Sequence, residues 1–132
     1  MVDVGNNVYD ENDDYPDFAK PVARAVSQDS ASRKGILICG SGVGVDVVAN
    51  KFLGVRASLI LNPDQAYLSR TDDDANILCL PAEFLSEEDA KKILTVWLDT
   101  KFSNDESHKR RIQKISEIEE ELLNKDESNS YD

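Results

Sequence analysis

The stretch "GILICGSGVGVD", residues 35–46, sets a cysteine where an apolar run gives way to a glycine-punctuated turn. Glycines at 40, 42 and 44 accept the dihedrals that let backbone N–H groups point inward at one anion, and a helix starting there adds its positive end. Such a turn binds a phosphate or stabilises a developing oxyanion equally well, and a purely structural tight turn is an equal alternative. Cys39 stands at its entrance. Free cysteine is among the most buried residue types and is often inert; beside a helix N-terminus the thiolate is favoured, and a thiolate can act as a base. A dinucleotide signature is incomplete, because Val45 follows Gly44 where G-x-G-x-x-G continues and the next strand ends in Asn62 rather than an acid. No Gly-Lys-Ser/Thr follows, so the turn is not a P-loop.

His108, Lys109, Arg110 and Arg111 form the one basic cluster, which suits either a phosphate clamp or a solvated helix start. Cys79, inside "NILCLP", has no glycine turn beside it and reads as core. Two cysteines and one histidine make neither a disulfide framework nor a clustered metal site, so no structural metal is expected. With 26 acidic against 15 basic residues the net charge is -11, which repels nucleic acid and anionic lipid. The acid is concentrated in "DENDDYPD" and "EIEEELLNKDESNSYD", leaving the middle nearer neutral and open to a small anion. No apolar run approaches the ~20 residues of a membrane span, and the first residues are acidic where a signal peptide is basic. A cytoplasmic protein with no nucleic acid or membrane partner is the expectation.

These residues need a scaffold, and 132 residues are the size of one domain. "MVDVG" reads as a strand end followed by loop. From Pro16, "PDFAKPVARAV" spaces Phe18, Val22, Ala25 and Val26 as a helix, irregular at its start because of Pro21. "GILIC" is apolar on both faces, as in a strand buried in a parallel sheet. "VGVDVVANKFLG" predicts a helix ending at Gly54, "VRASLIL" a second strand, "PDQAYLSR" a short helix and "NILCL" a third strand. Ser86 caps a helix over "SEEDAKKILTVWLDTKF", whose Ala90, Ile93, Leu94, Trp97 and Leu98 form one apolar stripe. The last helix carries Ile112, Ile115, Ile118 and Leu122 on one face, which calls for something to lie on. The alternation predicts an α/β fold with a parallel sheet and right-handed crossovers, which sets Cys39 at the carboxyl edge where ligands bind. Residues 1–124 are expected as the domain and 125–132 as a disordered acidic tail.

"DYPDFA", "GILICGSGVGVDVVANKFLGVRA", "LSRTDDDANIL" and "HKRRIQKI", in this order and spacing, resemble the ribose-5-phosphate isomerase type B and galactose-6-phosphate isomerase family, to about Ile118. The resemblance implies a Rossmann-like three-layer sandwich with a five-stranded parallel sheet, no cofactor, and dimers that share active sites between subunits. It implies that the Cys39 thiolate moves a proton between C1 and C2 of an open-chain sugar phosphate through a cis-enediolate. Gly40, Ser41, Gly42, Val43 and Gly44 would surround the oxyanion, with Ser41 where threonine is common. Arg111 matches a phosphate-binding arginine, and the last helix would embrace the partner.

This chain departs from that pattern in several places. Asp72 occupies the place of a histidine that helps open the sugar ring, with Asp73 beside it among the substrate-binding positions. Glu83 stands where many members carry arginine, and Ser107 replaces another basic residue. "MVDVG" looks like the family's second strand, so the domain is N-terminally truncated relative to the family by a strand and helix of roughly 30 residues. Three readings follow: an aldose-ketose isomerase of a phosphorylated sugar, most simply ribose 5-phosphate and ribulose 5-phosphate; a non-catalytic partner subunit or binding protein; or a fragment of a longer chain. A homodimer, or a hetero-oligomer with a related subunit, is expected.

Overall fold

The computed structural model describes residues 1–129, with side chains to Lys125. In order, the chain forms α1 (Tyr15–Gln28), β1 (Gly35–Cys39), α2 (Val43–Ala49), β2 (Ala57–Leu59), α3 (Pro63–Asp73), β3 (Ile77–Pro81), α4 (Glu87–Asp99) and α5 (Glu106–Asn129). The strands make one parallel sheet in the order β1-β3-β2, with Gly35 opposite Ile77, Cys39 opposite Pro81 and Ala57 also opposite Ile77. Every residue of β3 is buried, as an apolar run flanked by strands on both sides must be. Alternation sends Ile77 and Cys79 to one face, against Ala19, Ala23 and Val26 of α1 and Val45 and Ala49 of α2. Leu78 and Leu80 go to the other, against Ala66 of α3 and Ile93 and Trp97 of α4. Each such leucine or isoleucine contributes roughly 1.5–3 kcal/mol. The result is the three-layer parallel α/β sandwich expected from the sequence.

Several boundaries differ from expectation. α2 ends at Ala49, not Gly54, because the Asn50 side chain leaves the helix direction to bond both the N–H (2.9 Å) and the C=O (3.1 Å) of Ala57. Gly54 does adopt a positive φ of 74°, but in the loop beyond. Pro21 lies inside a continuous α1 with its ring exposed, costing only the bond to the Asp17 carbonyl. α3 continues past Arg70 to Asp73 before Asp74 turns left-handed. "MVDVG" forms no strand, and Val2 and Val4 are exposed.

The sheet has three strands among the described residues rather than the five the resemblance implies, since residues 1–34 supply only loop and α1. β1 is therefore an edge strand. Its Ile38 is 63% exposed, so "GILIC" is buried on one face only. α4 starts at its expected cap, where Ser86 Oγ accepts from Asp89 N at 3.1 Å. α5 continues as helix to Asn129, into the expected tail; residues 130–132 lie outside the described residues.

Candidate active site

Because β1 runs parallel to β3, its last residue emerges at the carboxyl edge, and Cys39 is half-buried there. The following residues fold back over the sulfur: Gly42 N–H donates to Cys39 Sγ at 3.2 Å, and Val43 N–H donates to Ser41 Oγ at 3.2 Å. Two donors of the expected oxyanion turn thus already have acceptors within it. Gly42 has φ 74°, and a Cβ there would lie 2.5 Å from Leu59 Cδ1, so only glycine closes this turn. Gly44 is covered by the Tyr15 ring, which a Cβ would meet at 2.6 Å. The loop after β3 is stitched to the turn by Ala82 N–H to Cys39 O and Glu83 N–H to Gly40 O, both 2.9 Å.

Beneath the turn lies Asp46, which local pattern did not single out. Its carboxylate accepts from Asn50 Nδ2 at 3.1 Å. Burial pushes its carboxyl up, while hydrogen bonds from Asn50 and Cys79 oppose that shift. Cys79 is fully buried, and desolvation first, then Asp46 and Cys39, push its thiol well above the ordinary range. Cys79 therefore stays protonated as a core residue, as expected, and Cys39, half-buried, is the more accessible thiol of the pair.

Asp72 and Arg111 do not join Cys39. A residue that ends α3 just before β3 lies at the amino edge of the sheet, and four strand steps of ~3.3 Å separate the two edges by about 13 Å. There Asp72 Oδ1 faces His108 Nε2 at 3.6 Å, and Ser103 Oγ meets His108 Nδ1 at 2.8 Å. Arg111, exposed, stands one helical turn beyond His108 on α5. The neighbouring acids have other tasks. Asp74 bonds Arg70 Nη1 at 2.9 Å, and the Asp73 carbonyl accepts Arg56 Nε at 2.8 Å. The Asp73 residue also lines a groove of about 390 Å³ between β2 and α5, with Arg56, Ser58 and Ile115. Arg70 is buried, reaches Ala75 O (2.6 Å) and Thr100 O (3.2 Å), and lies 5.6 Å from the centre of the Trp97 ring, so it ties the end of α3 to α4. Among the described residues no group of three or more His, Cys, Asp or Glu could hold a metal, and no helix is long and apolar enough to cross a membrane.

The parallel sandwich with a half-buried free thiol at its carboxyl edge defines a Rossmann-like α/β domain of the kind that binds small ligands beyond its strand ends. More narrowly, residues 1–115 match the Ribose/Galactose Isomerase family, and the chain belongs to that family and is an isomerase. It is 46% identical over 121 residues to a probable ribose-5-phosphate isomerase B of Mycoplasma genitalium, covering 92% of this chain and 79% of that protein. The ribose-5-phosphate isomerase B of Escherichia coli is 40% identical over 110 residues, covering 83% of this chain and 72% of that one. The fold superposes with a TM-score of 0.88 and 47% identity on the crystal structure of ribose-5-phosphate isomerase B from Mycoplasma genitalium with bound ribulose 5-phosphate, covering 91% of this chain and 78% of that chain.

Proposed function

We propose that this chain interconverts ribose 5-phosphate and ribulose 5-phosphate, with Cys39 as the base. The observation that carries the reading is the Cys39 sulfur at the carboxyl edge, held by the Gly42 N–H at 3.2 Å. The thiolate takes the proton from C2 of the open-chain aldose; the electron pair forms the C1=C2 bond and O1 becomes the enediolate oxygen. That proton returns to C1, and the hydroxyl proton passes from O2 to O1, which leaves the ketose. The Ser41 hydroxyl and free N–H groups of the turn from Gly40 to Gly44 stabilise the oxyanion. Asp72, beside His108 at the amino edge of a second copy, accepts the proton released when the sugar ring opens, and Asp73 of that copy lies with it on the substrate side.

Arg111 binds the phosphate. Since its own Cys39 is at the far edge of the sheet, a second copy supplies Arg111 to each Cys39, and the exposed Ile115, Ile118 and Leu122 of α5 give that copy an apolar seat. A related subunit in place of the second copy is the alternative, favoured by the Asp72–His108 pairing, which occupies the one histidine of the chain. Solvent-deuterium exchange at C2 of ribose 5-phosphate, followed by NMR, tests the reading. Exchange by the purified chain that vanishes in Cys39→Ala is expected; absence of exchange from the folded chain, alone and with ribulose 5-phosphate, refutes it.

A further inference from the structure

At the rim of the cysteine turn stands a carboxylate that the mechanism above does not use. Glu83 is exposed, and the carboxyl end of its side chain reaches the turn. It lies against Gly40, close enough that a Cβ on that glycine would be 2.7 Å from Glu83 Oε1 and 3.1 Å from the carboxyl carbon. The backbone bonds from Ala82 and Glu83 to the carbonyls of Cys39 and Gly40 hold it there. Among the described residues no cation forms an ion pair with Glu83; the paired cations are on α3, α4, α5 and the loop before β2. The entrance to Cys39 thus carries the Glu83 carboxylate, while the exposed Arg110 and Arg111 stand at the opposite edge.

Resting on the isomerase reading, we propose that Glu83 is a specificity-determining residue: its carboxylate accepts hydrogen bonds from the hydroxyls of the sugar beside Cys39 and excludes a phosphate dianion from that end. A carboxylate is an acceptor only, with two oxygens that suit neighbouring hydroxyls and have nothing to offer a phosphate oxygen. A dianion a few ångströms away is repelled strongly enough to weaken its binding by tenfold or more. The sugar therefore enters with C1 and C2 toward Cys39 and its phosphate toward the cations. The residue sets the direction of binding and selects substrates whose phosphate is far from the carbonyl end.

The test uses the full chain and inorganic phosphate as the probe. Alkylation of Cys39 by iodoacetamide is followed by mass spectrometry at increasing phosphate, in the wild type, Glu83→Gln and Glu83→Asp, each checked for folding by circular dichroism. Removing the charge in Glu83→Gln is expected to let phosphate protect Cys39 at a concentration at least about tenfold lower than in the wild type, while Glu83→Asp, which keeps the charge, stays like the wild type. Equal protection in wild type and Glu83→Gln, or none in either, overturns the proposal. Failure of the isomerase reading is separately visible: C2 exchange would then be absent from every variant, whatever phosphate does at Cys39.

Discussion

The two edges of the sheet are chemically unlike. At the carboxyl edge, the turn at Cys39 brings together glycine backbone, a serine hydroxyl and the carboxylate of Glu83. At the amino edge, His108 and Arg111 stand on α5 with Asp72 between α3 and that helix. Among the described residues, the thiol proposed to move the proton is at one edge, and the arginine proposed to hold the phosphate is at the other. A parallel strand imposes this division, since its two ends cannot meet within one copy of a domain this small. On the proposed reading, proton transfer and phosphate binding are separable by mutation, and they come together where one copy's carboxyl edge faces another's amino edge.

Cys39→Ser should produce the largest effect, lowering kcat by about 10²- to 10⁴-fold as expected for loss of a general base, with KM little changed. Steady-state kinetics on ribose 5-phosphate measures both, and an equal rise in KM would blur the proposed division. Arg111→Ala should do the reverse: loss of charge-assisted hydrogen bonds raises KM by about 10- to 100-fold with a smaller fall in kcat. Arg70→Met touches neither edge's chemistry but strips the amino edge of its internal tie to Ala75, Thr100 and Asp74, so urea denaturation should show a loss of about 2–4 kcal/mol.

The smallest effect sharpens the electrostatic contrast. Folding raises the Asp46 carboxyl above its ordinary value, so the folded state binds the proton more tightly. The contribution of this group is unpenalised below the unfolded carboxyl range and is lost as pH rises through the raised folded value. Asp46→Asn should therefore raise Tm relative to the wild type at pH 7 and not at pH 3. A gain of the same size at both pH values would contradict burial as the cause.

Much of the scaffold was legible because its signals are local. The run Ile77–Pro81 has no polar residue and Ser86 precedes an amphipathic stripe, so β3 formed and α4 began where the local pattern set them, although α4 ends at Asp99, short of the expected Phe102. Boundaries fixed by distant partners were not legible: nothing near Ala49 says that Asn50 will bond Ala57 and end the helix early. For the same reason β1 looked buried on both faces, although burial depends on neighbours that residues 1–34 do not supply. Within the site, Cys39 and its glycines could be found because the turn is continuous in sequence, whereas the contacts of Glu83 with Gly40 and of Tyr15 with Gly44 join separate segments. The separation of Asp72 from Cys39 follows from topology alone, because a residue just before a parallel strand and one at the end of its neighbour must occupy opposite edges.

The central claim is that a complete site combines Cys39 of one copy with Arg111 of another, and complementation measures it most directly. Cys39→Ala and Arg111→Ala proteins are each assayed alone and after mixing in equal amounts under conditions that allow subunits to exchange. In a two-fold dimer half of the mixed molecules are hybrids with one intact site, so with ribose 5-phosphate held near the wild-type KM, well below that of Arg111→Ala, recovery of about one quarter of wild-type activity is predicted from two proteins that are each far below that level. A mixture that shows only the sum of its parts, despite hybrid dimers demonstrated by native mass spectrometry, would contradict it.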